Sequence, residues 1–253
     1  MKVAISTGAV KTLSLAEYLP SFVAAGCRLI NLNLTPLYHG IVPISDISEQ
    51  LSVHGMSISV LEGGWCDFFE GHHLGADTLA SVDKQVEYAR ALNVNHLRLF
   101  FGVRENRLPD TRMADQFILR LVALADRYKD IVFLFENHGG LSNNVQFLID
   151  TLNLVNKNNI KLNFDSVNFE VEGIDPIKAL EKLAPHVASF HVKGRRGYEY
   201  DIFGNDDSKI PEVTSTVLSL KKEILCAVEY EGKSDRLPGL ITSYINYKNY
   251  LVS

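Results

Sequence analysis

Short apolar runs alternate with helical patterns along this chain, and that alternation restricts the possible folds more than any other feature of the sequence. Each run is long enough for one buried strand, and the stretch after it carries helical spacing or helix start and stop residues. Strands separated by helices favour a parallel sheet or a β/α barrel, because a parallel connection needs a crossover. The predicted strands cover residues 3–6, 28–34, 56–64, 95–102, 131–136, 160–165, 187–193 and 224–229.

Helical patterns follow each of these runs and complete the alternation. They cover residues 14–25, 44–55, 76–93, 112–128, 143–155, 175–185, 211–221 and 237–250, and a long irregular loop is expected over 194–209. The chain has 253 residues, which is close to the usual size of one (β/α)8 barrel. Since no linker or low-complexity stretch interrupts the series, the sequence predicts the α/β class, with a single (β/α)8 TIM-barrel domain over residues 1–253.

Charge and cysteine content argue against several classes of protein. Lys and Arg total 25 against 30 Asp and Glu, so the net charge of −5 gives no footprint for nucleic acid. The three cysteines, Cys27, Cys66 and Cys226, form neither a zinc pattern nor a disulfide framework, which indicates a reducing compartment. No apolar run is long enough for a signal peptide or a membrane span. We expect a cytoplasmic protein that binds neither nucleic acid nor a membrane; a homo-oligomer is left open.

Four predicted strands in the second half of the chain end on residues that commonly bind metal ions. The segments are IVFLFENH (131–138), IKLNFDS (160–166), VASFHVKG (187–194) and ILCAVEYEG (224–232), and the residues are Glu136, Asp165, His191 and either Glu229 or Glu231. In a barrel the carboxyl ends of the strands converge on one site. Carboxylates that converge repel one another, and a divalent cation is the simplest compensation. Oxygen and imidazole ligands favour Mn²⁺, Mg²⁺ or Co²⁺, with Zn²⁺ as an alternative.

The competing interpretation is that these are unrelated strand-end residues, some of them held in salt bridges. For any one position alone that interpretation is the better one. Four ligand types at the ends of four consecutive strands favour a shared site instead.

The same segments carry a resemblance to a known family. In their order and spacing, FENHGG (135–140), NFDSVNF (163–169), FHVKG (190–194) and VEYEG (228–232) resemble the xylose isomerase-like TIM barrels, the sugar phosphate isomerase/epimerase group. The resemblance implies one bound divalent cation, with Mn²⁺ as the first choice. It implies that Glu136, Asp165, His191 and Glu229 bind the cation. Glu229 is preferred over Glu231, because the family's ligand is the first acid of its E-x-E ending.

The resemblance also implies an activity on a small-molecule carbohydrate. One of the two catalytic residues, Glu136 and Glu229, would remove a proton next to a carbonyl of a sugar or sugar phosphate, and the other would return it. The cation would stabilise the enediolate between the two steps. The prediction is therefore a divalent-metal-dependent isomerase or epimerase. A metal-dependent lyase or dehydratase acting on a keto-sugar or keto-inositol is the alternative. An endonuclease IV-like nuclease and a non-catalytic sugar-binding barrel rank below it.

The chain departs from the epimerase pattern in two places. Asn168 stands three residues after Asp165, where epimerases of the group commonly carry a His. Arg195 and Arg196 follow His191 by four and five residues, whereas the family's Arg follows by about six.

Further residues are predicted to bind substrate because they lie at the same rim. They are His138, Asn168, Lys193, Arg196, Glu62, Trp65 and Glu231. Alternatives are open for three of them. Lys193 orients a substrate oxygen or pairs with Glu231, Trp65 stacks on a sugar or anchors its loop, and His138 contacts substrate or caps the turn before Gly139 and Gly140.

Other polar residues near the predicted rim receive structural interpretations. Arg98, inside the fourth strand, is expected to form a structural ion pair. His39, His72 and His73 are expected at the surface, and nothing near Cys66 makes it a nucleophile.

Overall fold

A closed barrel of eight parallel strands forms the centre of the molecule. The computed structural model describes residues 1–38, 42–73, 75–102, 109–233 and 235–253. Within these residues each strand pairs with the next one in sequence, and the last pairs with the first, as the sequence predicts. The strands are β1 (Val3–Ser6), β2 (Leu29–Asn33), β3 (Ser57–Glu62), β4 (His96–Phe100), β5 (Val132–Glu136), β6 (Ile160–Asp165), β7 (Val187–Arg196) and β8 (Leu225–Glu229).

One principal helix follows each strand and packs outside the barrel. These helices are α1 (Leu15–Ala24), α2 (Ile44–Val53), α3 (Thr78–Ala91), α4 (Thr111–Arg127), α5 (Val145–Val155), α6 (Pro176–Leu183), α7 (Ile210–Ser219) and α8 (Arg236–Tyr250). Local chemistry sets their ends. The carboxylate of Asp175 accepts from the N–H of Ile177 at 3.0 Å, and Pro176 occupies the first turn of α6, where its missing N–H costs nothing.

Short helical turns follow four of the strands and shape the carboxyl-terminal rim of the barrel. They are Thr7–Val10, Thr35–Tyr38, Gly140–Asn143 and Ser166–Val171. No helix among the described residues combines the length and apolar character needed to cross a membrane.

The loop expected over 194–209 is wrong in its first part. Strand β7 continues to Arg196 and pairs in antiparallel fashion with Glu199–Asp201, so this segment is a hairpin above the rim. Gly194 permits the close return, because a Cβ there would lie 2.5 Å from the carbonyl oxygen of Asp201.

The apolar core lies between the outer face of the strands and the helices. Phe135 of β5 stacks on Phe101 with ring centroids 4.5 Å apart, and Phe117 of α4 stacks on Phe69 at 4.4 Å. Burying one such ring stabilises the fold by about 1.5–3 kcal/mol. The inside of the barrel differs, because its carboxyl-terminal half is lined by buried polar side chains. That polar interior positions the site.

Candidate metal and substrate site

Glu136, Asp165, His191 and Glu229, from β5 to β8, lie together in the carboxyl-terminal half of the barrel; His191 is in the middle of β7, which continues past the rim. Strand register brings them together: Asp165 lies opposite His191 between β6 and β7, and Glu229 lies opposite Lys193 between β8 and β7. One ligand atom from each of the four residues lies within 4.8 Å of the others. Ligands sharing a cation at about 2.0–2.2 Å lie within roughly 4.4 Å of one another, so small side-chain movements would complete such a site.

Several atoms of this cluster are buried without a hydrogen-bond partner. Among the described residues they include Oδ2 of Asp165, both ring nitrogens of His191 and Oε2 of Glu229. The two carboxylate oxygens lie 3.1 Å from Nζ of Lys193 and are ion-paired with it, whereas the ring nitrogens of His191 lie 3.4 Å or more from the nearest carboxylates. A buried polar atom without a hydrogen bond costs about 1–3 kcal/mol. Hard oxygen and imidazole donors suit a divalent cation, so these residues fit one.

The backbone around Asp165 is fixed by Asn137. The Asn137 side chain accepts from the N–H of Asp165 and donates to its carbonyl oxygen, both at 2.8 Å. Oδ1 of Asp165 accepts from the N–H of Asn168 at 3.0 Å, which leaves Oδ2 facing the cluster. Asn137 was not among the site residues predicted from the sequence. Its place between Glu136 and His138 in the FENHGG segment was the feature from which a role in the site could have been predicted.

Glu136 is oriented by three neutral or cationic groups. Its Oε2 accepts from the amide of Asn163 at 3.2 Å and lies 3.3 Å from Nε of Arg98. Its Oε1 lies 3.4 Å from the amide nitrogen of Asn168. Arg98 also lies 3.7 Å from Glu62, so the expected structural ion pair is present and reaches the site.

The ring of His191 connects the cluster to Glu62. Its Nδ1 lies 3.4 Å from Glu229 and 3.7 Å from Glu136, whereas its Nε2 lies 3.9 Å from Glu62. Burial by itself lowers the pKa of His191, but the carboxylates of Glu136, Glu229 and Glu62 outweigh it and raise this pKa to about 9. With Nδ1 facing the ligands, Glu62 is on the side where a second carboxylate would fix the ring.

Lys193 is a fully enclosed cation surrounded by carboxylates. Its Nζ lies 3.1 Å from both Asp165 and Glu229, and it donates to Glu231 at 3.0 Å. Burial disfavours the ammonium, yet these carboxylates hold the pKa of Lys193 well above its usual value. Burial also disfavours the Glu229 carboxylate, but Lys193 and His191 hold the pKa of Glu229 well below its ordinary range.

A cavity of about 400 Å³ opens above the cluster and has one aromatic wall. Trp65 stacks on Phe100 with centroids 4.4 Å apart, and the His138 ring lies 4.8 Å from Phe100 and 5.5 Å from Trp65. Trp65 is 40 % exposed, so the outer part of this wall is free to contact a ligand. Flat aromatic faces of this kind suit the apolar faces of a sugar ring.

The residues predicted to bind substrate lie in different parts of the site, some in the cavity lining and some beneath it. Trp65, His138 and Glu231 line the cavity. Lys193 and Asn168 contact the ligand cluster from within the barrel. Lys193 also donates to Glu231, which is one of the two alternatives predicted for it from the sequence.

Two other predicted substrate residues lie away from the cavity lining. Glu62 is 1 % exposed, and it accepts from the Ser6 hydroxyl at 2.9 Å. Arg196 is on the outer hairpin, 3.3 Å from Asp201. The structure therefore does not bring Arg196 together with the cluster.

Three rim histidines were expected at the surface. His72 lies in a short antiparallel pairing with Asp77 and is exposed, as expected. His39 and the side chain of His73 lie outside the described residues.

The chain belongs to the xylose isomerase-like TIM barrels, a family whose model matches residues 23–243. A comparison with curated protein sequences found no match. Among solved structures, the chain is similar to an IolI protein with a bound zinc atom, at 16% identity and a TM-score of 0.84 over 99% of this chain and 98% of that one. These solved structures are too distant in sequence to show more than the fold.

Two further structures share the fold over almost the whole chain. The probable 3-DHS dehydratase AsbF of Bacillus anthracis, involved in petrobactin synthesis, is 17% identical with a TM-score of 0.81, covering 100% of this chain and 99% of that one. The 3-keto-D-glucoside 4-epimerase YcjR of E. coli is 14% identical with a TM-score of 0.76, covering 98% of this chain and 99% of that one.

Proposed function

We propose that this chain is a divalent-metal-dependent isomerase or epimerase acting on a small carbohydrate by proton transfer next to a carbonyl. The observation that carries the proposal is the cluster of Glu136, Asp165, His191 and Glu229, which lies beneath a cavity and brings four potential ligand atoms within 4.8 Å of one another. Its chemistry needs a cation, a base and an acid at one carbon, and this cluster has residue types for all three.

Each catalytic carboxylate has its own support. Arg98, Asn163 and Asn168 hold Glu136, and Glu136 removes the proton from the substrate carbon. Glu229 enters from β8, with Lys193 and His191 beside it, and returns a proton at the other side of the carbon. When bound, the divalent cation would polarise the carbonyl and stabilise negative charge that develops on its oxygen.

The cation would be held by Glu136, Asp165, His191 and Glu229. Oxygen and imidazole ligands fit Mn²⁺ as the first choice, and Mg²⁺, Co²⁺ and Zn²⁺ are alternatives. The zinc atom in the IolI structure supports the choice of a divalent cation on this fold. Elemental analysis of the purified protein identifies the metal.

Proton exchange with solvent is the direct test. Metal-loaded protein is incubated in D₂O with ketoses, ketose phosphates and 3-keto-sugars, and carbon-bound deuterium is followed by NMR. We expect incorporation in the native protein and its loss in Glu136→Gln. Glu199→Gln changes an exposed acid of the outer hairpin and is the matched control. Exchange that survives Glu136→Gln would remove Glu136 from the role of base.

A lyase or dehydratase is the second candidate, and Lys193 is the observation that favours it. Its ammonium is enclosed between the ligand carboxylates and Glu231, and Glu231 lines the cavity, so Lys193 would act on a leaving substrate oxygen through Glu231. The same NMR experiment separates the two reactions. Epimerisation or isomerisation conserves the composition of the substrate, whereas elimination releases water and forms a double bond.

The predicted absence of nucleic acid, the cytoplasmic location and the single-domain organisation stay predictions. Among the described residues, only one group of three or more side chains meets the geometry of a metal site. An endonuclease IV-like nuclease would need a multi-metal cluster, so the isomerase proposal is preferred.

A further inference from the structure

Two cations at the edge of the cavity are not used by the proposed chemistry. Lys11 follows the helical turn Thr7–Val10 after β1, and Arg236 is the first residue of α8 after β8. Both line the cavity above the metal ligands. Strands β8 and β1 are neighbours in the barrel, and the turn Thr7–Val10 packs against α8. The two side chains therefore come from adjacent parts of the rim.

Neither cation has an ion-pair partner among the described residues. Within that part of the chain, neither Lys11 nor Arg236 has a carboxylate within 4.0 Å, the limit for an ion pair. Glu229 and Glu231, which also line the cavity, are both paired with Lys193. Both cations are exposed, so they are free to contact a ligand in the cavity.

The charge of the site supports an anionic ligand at this edge. The buried part holds the carboxylates of Glu62, Glu136, Asp165 and Glu229, and it holds the cations Arg98 and Lys193. With neutral His191, a bound divalent cation leaves this part without net charge. At the edge the two positive charges of Lys11 and Arg236 exceed the one negative charge of Glu231. In a chain with a net charge of −5, unpaired cations beside a cavity favour a negatively charged group there.

Neutral donors continue the same arc. Asn33 and Thr35, at the end of β2, also line the cavity, and β2 is the neighbour of β1. Oδ1 of Asn33 accepts from the N–H of Thr35 at 3.0 Å, which turns the amide nitrogen away from that contact. The arc of rim from β8 through β1 to β2 thus presents donors, and the aromatic wall lies at β3 to β5.

We propose that Lys11 and Arg236 form an anion subsite and that the substrate is an acidic carbohydrate, bearing a carboxylate or a phosphate ester. The subsite binds this group while the carbonyl carbon lies between Glu136 and Glu229; this placement rests on the proposed function. The two cations supply charge-assisted hydrogen bonds, which are about twice as strong as neutral ones.

The only tryptophan of the chain provides a direct assay, because Trp65 lies in the wall of the same cavity. Metal-loaded full-length protein is titrated with inorganic phosphate, with D-gluconate and with the neutral polyol D-glucitol, while tryptophan fluorescence is recorded. The substitutions described below separate anion binding at Lys11 and Arg236 from anion binding to the metal. We expect saturable binding of at least one anion, at least about tenfold tighter than that of D-glucitol, and weakened by added salt.

Substitutions then locate the subsite. Lys11→Gln and Arg236→Gln are each expected to weaken anion binding about tenfold and to leave D-glucitol unaffected, because each removes one charged hydrogen bond. Lys233→Gln removes another exposed rim lysine, which pairs with Glu199 instead of lining this cavity, and serves as the matched control. Tighter binding of phosphate indicates a phosphate ester, and tighter binding of gluconate indicates a sugar acid.

The proposal is overturned if neither anion binds better than D-glucitol. It is also overturned if Lys11→Gln and Arg236→Gln bind the anions as the native protein does, or if Lys233→Gln weakens them equally. These outcomes are separate from the failure of the proposed function. Anion binding without proton exchange on any substrate would support the anion subsite and contradict the proposed function. Proton exchange restricted to neutral sugars would support the proposed function and contradict the anion subsite.

Discussion

The ammonium of Lys193 lies 3.1 Å from the carboxylate of Asp165, although both side chains are enclosed in the barrel. The same ammonium is 3.1 Å from Glu229, so it forms ion pairs with two of the four proposed metal ligands. Lys193 therefore compensates the ligand carboxylates when no cation is bound. The protein has a built-in positive charge next to the place proposed for the metal.

Replacing Lys193 by Met is expected to destabilise the metal-free protein by about 3–5 kcal/mol, because it leaves buried carboxylates without their partner. Urea unfolding of chelator-treated and Mn²⁺-loaded protein measures the effect. A smaller loss is expected with metal, since the cation takes over part of the compensation. Lys233→Met removes a lysine that is 88 % exposed and should leave the stability of both forms unchanged, because a surface ion pair contributes little. Equal stability of native and Lys193→Met metal-free protein would contradict this account.

Glu229 and Glu231 are expected to differ in their effect on metal binding. Glu229 belongs to the ligand cluster and is 12 % exposed, whereas Glu231 is 34 % exposed and contacts Lys193. Glu229→Gln should lower Mn²⁺ affinity at least about tenfold, and Glu231→Gln should leave it within about threefold. Calorimetric titration of both variants with Mn²⁺ gives the comparison. The reverse order would make Glu231 the ligand.

Asn137 is expected to support the metal site without touching the metal. Asn137→Ala removes both hydrogen bonds to the backbone of Asp165 and should cost about 2–3 kcal/mol of stability, with weaker Mn²⁺ binding. The control is Asn144→Ala, which removes the side-chain cap of α5. It should cost about 1 kcal/mol and leave Mn²⁺ affinity unchanged. If the two variants bind Mn²⁺ equally well, Asn137 has no role in the site.

The cysteines are expected to be unreactive in the folded protein. Burial raises the pKa of Cys66 to about 11 and that of Cys226 to about 12, and it also raises the pKa of Cys27. At pH 8 all three thiols should therefore be protonated and slow to react with a disulfide reagent, and unfolding in guanidinium should release all three.

The same pKa shifts predict how stability changes with pH. Thiols in the unfolded chain have a pKa of about 8.5, whereas the buried thiols of the folded protein stay protonated above that pH. The folded protein therefore binds more protons than the unfolded one in that range, and stability should fall as pH rises above about 8.5. Rapid labelling of any one cysteine in the native protein at pH 8 would contradict the prediction that the buried thiols are protonated and unreactive.

The alternation of strands and helices could be predicted from the sequence because it depends on local periodicity. Each strand is encoded by its own apolar run, and each helix by its own spacing and end residues, as Pro176 and Asp175 illustrate. The strand-end positions of Glu136, Asp165, His191 and Glu229 follow from the same local pattern. Whether these four bind a metal stays a prediction.

Tertiary structure decided which side chains meet. Between β6 and β7 the register shifts after Leu162, so that Asp165 lies opposite His191; without that shift its partner would be Phe190. Such a register shift cannot be predicted from a single sequence, because it depends on how the two strands pair within a closed barrel. The contact between Asp165 and Lys193 depends on this shift, and the hydrogen bonds between Asn137 and Asp165 likewise depend on the pairing of separate strands. Lys11 and Arg236, 225 positions apart by their numbers, line one cavity because closing the barrel makes β1 and β8 neighbours.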